Sequence, residues 1–598
     1  MVRYVKARKS KVEVLAKFEP LISEWFDGRF ADLTPPQAMA VPLIHAGKNV
    51  LVSSPTGSGK TLTAFLSILN DLFRRAAVGE LEDGVQALYI SPLKALANDI
   101  DRNLKQPLAE MEALAAERGW EFPAVKVAVR SGDTSLSDRA KMVRKPPHIL
   151  ITTPESLGLL LSSKKFREHF RSVRYIILDE IHDLANNKRG THLSLSVERL
   201  AHLLDRDPVR IGLSATQAPI EEIAHFLGGW SRGKPRPVNI VDVKERKRLD
   251  LRVLCPVDDL TQHSTEVINS RMYDLLADLV TGHRTTLIFT NTRAGTETVA
   301  LQLQERGIEK LAAHHGSMSK EMRLDVEEKL KEGEMDAVVT STSLELGIDI
   351  GYVDLVVQIG SPKSIAKGLQ RIGRAGHALH KISKGRLVVS DPDDLVECAV
   401  LVNSAYAGKI DRVAIPQKPA DVLAQSIIGM SLDQRWRPEE MLEVIRGAHP
   451  YHDYSRSELE ALLEFLGGDG LSEHGVYPKV WYDGEEMGIK RGSRQIYNMN
   501  IGTIPQEINY SVVLEGGGAH IGNLSEKFVE NLGRNDIFVL GGRTYQFLSA
   551  EGPRVIVKDG LGRKPTVPSW SGEMLPRSFD LSEAVGRFRA VIGERLGE

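Results

Sequence analysis

The segment SSPTGSGKT at 53–61 has the residue types and spacing of a phosphate-binding loop. It follows an apolar run and precedes a helical one, which is the context that such a loop requires. Glycines let successive backbone N–H groups face phosphate oxygens, Lys60 can reach the β- and γ-phosphates, and the Thr61 hydroxyl can bind Mg²⁺. We therefore predict that this loop binds ATP. The predicted contacts are Thr56, Gly57, Ser58, Gly59, Lys60 and Thr61.

Two adjacent carboxylates end another apolar run, YIILDEIH at 175–182. Asp179 is predicted to hold Mg²⁺ and Glu180 to polarise the attacking water, because in-line hydrolysis needs an oriented nucleophile. Adjacent acids at a strand end are common by chance. Their place after a phosphate-binding loop, in the same series of strands, makes an ATPase the better interpretation.

A third group lies in KGLQRIGRAGH at 367–377, which carries Gln370, Arg371 and Arg374. Two arginines three residues apart share one helix face. Their planar guanidinium groups can bind γ-phosphate oxygens as arginine fingers. We predict that role, with a solvated basic helix as the alternative. Ser214 and Thr216 end one more apolar run and are expected either to bridge the nucleotide site to a second domain or simply to cap the strand.

The elements that must position these residues alternate between short apolar runs and longer helical stretches. Nearly continuous apolar character is typical of strands covered on both faces in a parallel sheet, and ligands bind at the carboxyl ends of such strands. The polar stretch at 231–248 is interpreted as the link between two similar α/β domains. The predicted strands are 49–54, 85–91, 125–131, 148–153, 175–180, 209–215, 285–291, 311–317, 336–342, 355–361 and 385–391.

The pattern changes after about residue 400. Helical segments near 419–430, 437–447 and 456–466 precede a strand-like run at 476–482, which predicts a winged-helix module. Alternating strands around a Gly-Gly turn at 537–548 predict a hairpin in a small β-barrel-like module. A last helix is predicted from Asp580 with one apolar stripe. Either the final domain is cut short or this helix packs back on its own barrel.

Composition narrows the function classes. The 598 residues carry a formal charge of −2, which excludes a globally basic nucleic-acid coat but not a local basic cleft. Two cysteines exclude a disulfide scaffold and a cysteine-rich zinc site. The adjacent His314 and His315 have no partners at metal-ligand spacing, so a metal site there is a weak alternative. With neither a signal peptide nor an apolar run of ~18 residues, we expect a cytoplasmic protein.

Taken in order, these motifs resemble those of superfamily 2 helicases, and the chain is most similar to the Lhr (large helicase-related) family. SPLKALANDI at 91–100, the stretch 343–377 and LGGRTYQFL at 540–548 carry that likeness, together with PTVPSW and LPRSF further on. The resemblance implies an α/β fold of two tandem RecA-like domains, then a winged-helix module and a β-barrel-containing C-terminal domain. The expected domains are 1–235, 236–400, 401–506 and 507–598, the last shorter than in the family.

The resemblance also implies an activity and further site residues. The activity is ATP-dependent 3′-to-5′ movement on single-stranded DNA that displaces DNA or RNA from duplexes, in DNA repair. Gln37 in LTPPQ is expected to bind the adenine, and Gly347 and Asp349 to join the nucleotide site. Strand-end loops are expected to hold backbone phosphates, with a strand-end cap as the alternative for each residue. These candidates are Lys94, Asn98, Arg130, Gly132, Thr153, Thr292, Arg293, Gly316, Ser317 and Thr340.

Three further questions stay open at the level of sequence. An RNA helicase of surveillance or decay is the first alternative, because phosphate contacts report strand geometry more than sugar identity. A non-catalytic clamp that uses ATP as a switch is the second, and Lys60, Glu180 and Arg374 argue against it. Within the winged helix, Trp436, Trp481 and Tyr482 could stack on bases or belong to the core.

Overall fold

The computed structural model resolves into two compact units. Unit 1 comprises Met1–Glu245 and Val413–Pro505, and unit 2 comprises Arg246–Arg412 and Gln506–Glu598. Each unit therefore combines an early part of the chain with a late one. The structure describes residues 2–55, 57–122, 125–215, 218–243, 248–345, 350–376, 382–468, 477–503, 509–516, 518–560, 565–570 and 575–597, without the side chains of 94–103.

The strands, numbered along the chain, form a sheet of the α/β type in each unit and three smaller sheets. The strands are β1 (Val2–Tyr4), β2 (Val50–Ser53), β3 (Ala87–Ile90), β4 (Val127–Arg130), β5 (Ile149–Thr152), β6 (Tyr175–Leu178), β7 (Val209–Ser214), β8 (Trp230–Ser231), β9 (Lys234–Pro235), β10 (Val238–Asp242), β11 (Leu249–Leu254), β12 (Thr286–Phe289), β13 (Leu311–His314), β14 (Ala337–Thr340), β15 (Leu355–Ile359), β16 (Ser383–Val388), β17 (Val480–Tyr482), β18 (Met487–Ile489), β19 (Asn509–Leu514), β20 (His520–Ser525), β21 (Ile537–Leu540), β22 (Arg543–Glu551) and β23 (Arg554–Asp559).

The helices separate most of these strands. They are α1 (Lys11–Leu15), α2 (Pro20–Arg29), α3 (Pro35–His45), α4 (Lys60–Ala77), α5 (Lys94–Arg118), α6 (Leu136–Arg144), α7 (Pro154–Leu161), α8 (Lys164–Arg167), α9 (Ile181–Ala185), α10 (Lys188–His202), α11 (Ile220–Gly228), α12 (Thr265–Thr281), α13 (Arg293–Gln304), α14 (Lys320–Glu332), α15 (Ile365–Ile372), α16 (Pro392–Tyr406), α17 (Ala420–Met430), α18 (Pro438–Gly447), α19 (Arg456–Gly467), α20 (Ser493–Met499), α21 (Glu526–Val529) and α22 (Phe579–Leu596).

Both large sheets are parallel. The sheet of unit 1 has the order β1-β10-β2-β7-β6-β3-β5-β4, and the sheet of unit 2 has the order β11-β16-β15-β12-β14-β13. Their inner strands are almost fully buried because helices cover both faces, whereas the edge strands β1, β4 and β11 are mostly half-buried or more exposed. Each predicted strand is found within a few residues of its expected ends. The predicted α/β class is therefore confirmed.

The stretch at 231–248 is not only a link. It contains β10, which pairs in parallel with β2 in the sheet of unit 1. Val238, Ile240 and Val241 of β10 are buried in that sheet. The prolines and charged residues around this short strand made the stretch resemble a linker, although its apolar side chains belong to the core. The interpretation of the whole stretch as a link was therefore wrong.

The predicted winged-helix elements are found in unit 1. Helices α17, α18 and α19 agree with the expected segments, and β17 and β18 form an antiparallel two-stranded wing. Trp436 belongs to the core of this module: it is 6% exposed, and its indole N–H donates to the Met430 carbonyl at 3.0 Å. Trp481 lies under the Arg435 guanidinium at 5.3 Å from the ring centroid.

The C-terminal sheet of unit 2 has the order β20-β19-β23-β22-β21. Its hairpin β21–β22 turns at Gly541 and Gly542, with φ of +66° and +73°. Glycine adopts these left-handed values without strain, so the predicted Gly-Gly turn is confirmed. Across the described residues the strands form an open, half-barrel sheet with β20 and β21 at its edges. The β-barrel expectation is thus confirmed only in part.

The last helix begins earlier than predicted. Ser578, not Asp580, is its N-cap, and its hydroxyl accepts from the Leu581 N–H at 3.3 Å. The first half of the apolar stripe is buried at Leu581 and Val585, and α22 packs on α16 rather than on the C-terminal sheet. The described helices include none with the length and apolar composition needed to cross a bilayer.

Candidate ATPase site and nucleic-acid interface

The phosphate-binding loop connects β2 to α4 in unit 1. Gly57 and Gly59 have φ of +78° and +80°, which explains why glycine stands at both positions. Lys60 begins α4, and its Nζ donates to the Ser54 carbonyl at 2.8 Å. The Ser54 and Ser58 hydroxyls are 2.7 Å apart and close the loop across its base. The loop thus has the shape that cradles phosphates at a helix N-terminus.

The carboxylate pair follows β6, which is separated from β2 by β7 alone. Asp179 is 5% exposed and Glu180 is 4% exposed. Glu180 has φ of +43°, a left-handed conformation that a glutamate adopts only at a cost of about 1–3 kcal/mol. Burial, and then the neighbouring charge of Glu180, raises the pKa of Asp179. A strained, desolvated carboxylate pair beside a phosphate-binding loop is typical of a catalytic site.

Tyr89, at the end of β3, connects this pair to the loop. Its hydroxyl donates to the Asp179 carboxylate at 2.5 Å and also hydrogen-bonds to Thr61. The ring stacks on Phe65 with the centroids 5.3 Å apart, and burial raises the pKa of the phenol well above its usual value. Thr61 and Asp179 are therefore held within reach of one shared hydroxyl.

The donor set fits Mg²⁺. Thr61 and Asp179 supply hard oxygen ligands, which this ion prefers, and they converge on the same Tyr89 hydroxyl. A cation would also balance the two buried negative charges of Asp179 and Glu180. Among the described residues there is no cluster of three or more His, Cys, Asp or Glu that could hold a metal by itself. Such a site agrees with Mg²⁺ bound mainly through nucleotide phosphates.

His182 connects the carboxylate pair to the end of β7. Its Nδ1 accepts from the Ala215 N–H at 3.2 Å and lies 3.4 Å from the Ser214 hydroxyl and 3.5 Å from Glu180 Oε2. Ser214 therefore lies beside His182 and the carboxylate pair within unit 1, and its bridging to a second domain stays a prediction.

Gln37 lies against the phosphate-binding loop. A Cβ at Gly59 would come 3.0 Å from the Gln37 amide nitrogen. The side chain is 3% exposed, and its carbonyl accepts from the Thr34 N–H at 2.9 Å in the capping box of α3. Gln37 thus lies beside the phosphate-binding loop, and its side-chain carbonyl accepts a hydrogen bond that caps the N-terminus of α3.

The arginine group lies in unit 2, on and just after α15. Arg371 is fully buried, and its guanidinium donates to the Glu345 carboxylate at 2.8 and 3.0 Å and to the Gln358 carbonyl at 2.7 Å. Arg374 is 3% exposed and donates to the Glu345 backbone carbonyl at 3.0 and 3.2 Å. Gln370 is half-buried on the same helix. Glu345 therefore anchors both arginines, and the alternative of a solvated basic helix is wrong.

The predicted nucleic-acid residues of unit 1 surround the ends of β4 and β5. Arg130 is half-buried, and burial followed by the charge of Arg139 lowers its pKa to about 10. Arg139 donates to the Thr134 and Gly132 carbonyls at 2.8 and 2.9 Å, which fixes the loop. A half-buried guanidinium beside a second positive charge favours binding of an anion such as a phosphate.

Three predicted phosphate donors also have local structural roles. Thr153 and Thr292 are N-caps of α7 and α13, with hydroxyls that accept from the Ser156 and Gly295 N–H groups at 3.4 and 2.9 Å. The Thr340 hydroxyl lies 3.1 Å from that of Ser343 and is fully buried. Thr153 and Thr292 therefore act as caps at these strand ends, where the next helix begins, and this was the alternative role for each.

Arg293, Gly316 and Ser317 lie together in unit 2. The Arg293 guanidinium donates to the Ser317 hydroxyl at 2.8 Å and covers the Trp570 ring at 5.3 Å from its centroid. Gly316 is exposed, and a Cβ there would meet nothing within 4 Å. The remaining predicted residues lie outside the described part of the chain: Thr56, Thr216, Gly347 and Asp349, and the side chains of Lys94 and Asn98.

Three family models match the chain in the order expected. The DEAD/DEAH box helicase model matches residues 34–223, and the helicase conserved C-terminal domain model matches 269–378. The winged helix domain model of large helicase-related proteins matches 403–567. The first two models match most strands of the two parallel sheets, which belong to RecA-like helicase domains.

A relative from Methanothermobacter thermautotrophicus, named ATP-dependent helicase Lhr-Core, is 51% identical over 99% of this chain and 69% of its own length. The chain belongs to the Lhr-Core family of ATP-dependent helicases. The solved structure of Mycobacterium smegmatis helicase Lhr bound to ssDNA and AMP-PNP is 38% identical, with a TM-score of 0.79 over 96% of this chain and 69% of that one. A Lhr helicase/probable uracil glycosylase from Mycolicibacterium smegmatis is 38% identical over 96% of this chain, which spans 40% of that relative.

Several residues of this Lhr-Core chain hold the motif residues in place but are not themselves predicted from the sequence motifs. Tyr89 and Glu345 each lie within or beside a recognised motif, but their side-chain partners are distant in sequence. Arg139 belongs to none of the motifs. It holds the loop after β4 by donating to backbone carbonyls of that loop. The signal that could have identified Tyr89 and Glu345 was chemical: a tyrosine in an otherwise aliphatic strand, and an acidic residue between two leucines.

Proposed function

We propose that this Lhr-Core chain is an ATPase stimulated by single-stranded DNA, which moves 3′ to 5′ and displaces DNA or RNA from duplexes. The observation that carries the proposal is the buried pair Asp179–Glu180, tied through Tyr89 to the loop that carries Lys60 and Thr61. A protein that only bound ATP would have no use for a strained glutamate at this place.

Each residue of the site has a proposed chemical role. Lys60 binds the β- and γ-phosphates, and Glu180 orients the attacking water. Thr61 and Asp179 would hold Mg²⁺, which neutralises charge on the phosphates when it is bound. Arg374 stabilises charge that develops on the γ-phosphate, and Arg371 helps to keep it in place through the shared anchor at Glu345.

Movement follows if ATP stabilises one arrangement of the two units more than another. ATP bound by unit 1 and completed by Arg374 of unit 2 favours a closed state, and hydrolysis removes the phosphate that both units bind. The strand-end residues Arg130, Arg293, Gly316 and Ser317 hold the track through its phosphates. Such contacts ignore base sequence and weaken as the salt concentration rises.

The choice of DNA is supported by the relative solved with ssDNA and AMP-PNP, which is 38% identical to this chain where the two match. A role in DNA repair is supported by the relative named a helicase and probable uracil glycosylase. The cytoplasm is part of the same proposal, since ATP and nucleic acid are both present there. The 3′-to-5′ direction is expected from the resemblance to the family.

The test measures the rate of ATP hydrolysis by the purified chain at increasing concentrations of a thymidine homopolymer, which is DNA, or of a uridine homopolymer, which is RNA. We expect stimulation by the DNA polymer, and a loss of about 10²-fold or more in Lys60→Ala and Glu180→Gln, with DNA binding retained. Hydrolysis retained in both variants would refute the site. Stronger stimulation by the RNA polymer would favour an RNA helicase instead.

A further inference from the structure

Glu297 is a buried carboxylate that the ATPase site does not use. It lies on α13 and is fully buried, as is His315, which follows the last residue of β13. The His315 Nε2–H donates to Glu297 at 2.7 Å. The tautomer follows from the other ring nitrogen, which accepts from the Ser317 N–H at 3.3 Å. Glu297 is thus connected directly to the loop that contains Gly316 and Ser317.

The same carboxylate holds the hairpin turn of the C-terminal sheet. Its two oxygens accept from the Gly541 N–H at 2.5 Å and from the Gly542 N–H at 2.8 Å. Both glycines have left-handed φ, so the turn directs these two N–H groups to one side. A buried carboxylate is costly unless hydrogen bonds compensate it, and here three N–H donors do so. We call Glu297, His315, Gly541 and Gly542 the Glu297 latch.

The C-terminal sheet contacts the same loop a second time through backbone bonds. The Ser317 carbonyl accepts from the Asn523 N–H at 2.7 Å, and the Ser319 N–H donates to the Ile521 carbonyl at 2.7 Å. Gly522 lies between them, where a Cβ would come 2.5 Å from the Ser317 carbonyl oxygen. The loop is therefore fixed on one side by the edge strand β20 and on the other by the latch.

The neighbouring His314 connects the strand end to the loop after β14. Its Nδ1 lies 2.7 Å from the Ser343 hydroxyl, which in turn lies 3.1 Å from that of Thr340. The adjacent histidines thus join two predicted nucleic-acid loops, one through each side chain. Neither histidine needs a metal to explain its burial.

We propose that the Glu297 latch makes the C-terminal sheet part of the nucleic-acid grip, by setting the shape of the loop His315–Ser319. Glu297 is then a positioning residue for strand binding. This inference rests on the proposed function, since it takes Gly316 and Ser317 as contacts of the single strand. The latch belongs to unit 2 and the ATPase carboxylates to unit 1, so we expect it to act on the track rather than on hydrolysis.

The first test is the Glu297→Gln variant. Glutamine has the same size and shape as glutamate, but its NH₂ group cannot accept a hydrogen bond, so at least one N–H donor of the latch loses its acceptor. We expect the DNA concentration for half-maximal ATPase stimulation to rise about fivefold or more, while kcat at saturating DNA stays within about twofold. Glu305→Gln is the matched control, because Glu305 is exposed at the end of the same helix and outside the latch. An unchanged DNA requirement in Glu297→Gln would overturn the latch.

The second test needs no variant and covers the case in which Glu297→Gln does not fold. Amide hydrogen exchange of the wild-type chain is measured with and without thymidine homopolymer. We expect DNA to slow exchange at Gly316 and Ser317 and also at Gly541 and Gly542. Protection of the loop without protection of the turn would overturn the latch. Protection of neither would instead remove Gly316 and Ser317 from the proposed track.

Discussion

At the scale of single residues, Arg374 is the side chain on which proposed hydrolysis depends most. An arginine that stabilises charge on the γ-phosphate is worth about 10³-fold or more in turnover. We expect Arg374→Ala to lose that factor while ATP binding falls much less, measured by steady-state hydrolysis and by nucleotide fluorescence titration. Arg252→Ala is the control, because Arg252 is 68% exposed in the same unit. Normal turnover in Arg374→Ala would refute the proposed role of Arg374 as an arginine finger.

Tyr89 is the residue that holds Thr61 and Asp179 to one hydroxyl. In Tyr89→Phe the ring still stacks on Phe65, but a buried hydrogen bond to a carboxylate is lost. Such a bond contributes about 1.5–3 kcal/mol, so we expect ATP turnover to fall about tenfold or more. Hydrolysis is measured over a range of Mg²⁺ concentrations, and DNA binding without nucleotide is expected to be unchanged. Wild-type turnover at all Mg²⁺ concentrations would contradict this role.

His192 predicts how stability depends on pH. Burial, with smaller effects from Arg199 and Arg189 and opposed by Glu155, lowers its pKa to about 4. The unfolded chain then binds more protons between the two pKa values, so stability is lost as pH falls from about 6.5 toward 4. At pH 5 this loss is about 2 kcal/mol. Urea unfolding at pH 7 and pH 5 measures it, and His192→Gln is expected to reduce the difference. An equal difference in both proteins would contradict the assignment.

At the scale of elements, the start of helix α15 is capped by its own Ser364 and also by Asp411, which lies after the next helix in the sequence. The Asp411 carboxylate accepts from the Ser364 hydroxyl at 2.7 Å, the Ala366 N–H at 2.8 Å and the Ser578 hydroxyl at 2.5 Å. One side chain therefore caps the arginine-bearing helix and contacts the N-cap of α22.

Asp411→Ala is expected to lower the free energy of unfolding of the chain by about 1–3 kcal/mol, because three donors lose a charged acceptor. Asp393→Ala is the matched control: its carboxylate is 80% exposed and pairs with Arg589 on the surface. Exposed pairs contribute about 0–1 kcal/mol. Urea denaturation measures both, and equal losses in the two variants would contradict the capping role.

The motifs and elements could be predicted from sequence to different degrees. The phosphate-binding loop was predictable because its glycines, Lys60 and Thr61 are local in sequence and fixed by one function. The strand β10 was not, since its burial depends on β2, which lies far away in the chain. Likewise Glu345 gains its role only through Arg371 and Arg374, and Glu297 only through a turn near residue 541. Local sequence patterns therefore predict helices, strands and motifs, whereas the partners of a side chain depend on contacts between residues far apart in the sequence.

At the scale of the whole molecule, the two units divide the proposed work. Unit 1 carries the loop, the carboxylate pair and the winged helix, and unit 2 carries the arginine pair and the C-terminal sheet. Linear order predicted four domains in series, but contacts group the first with the third part and the second with the fourth. Separate expression of either unit is therefore expected to give no ATP turnover, since each lacks residues that the other supplies. Turnover by unit 1 alone would contradict the division.

The most direct test of the central claim is strand displacement from matched duplexes that carry a 3′ or a 5′ single-stranded tail of DNA or RNA. The account predicts ATP-dependent displacement of both DNA and RNA from a strand with a 3′ DNA tail, and none when Lys60 is replaced by alanine. Displacement that begins equally well from a 5′ tail, or that requires an RNA tail, would contradict it.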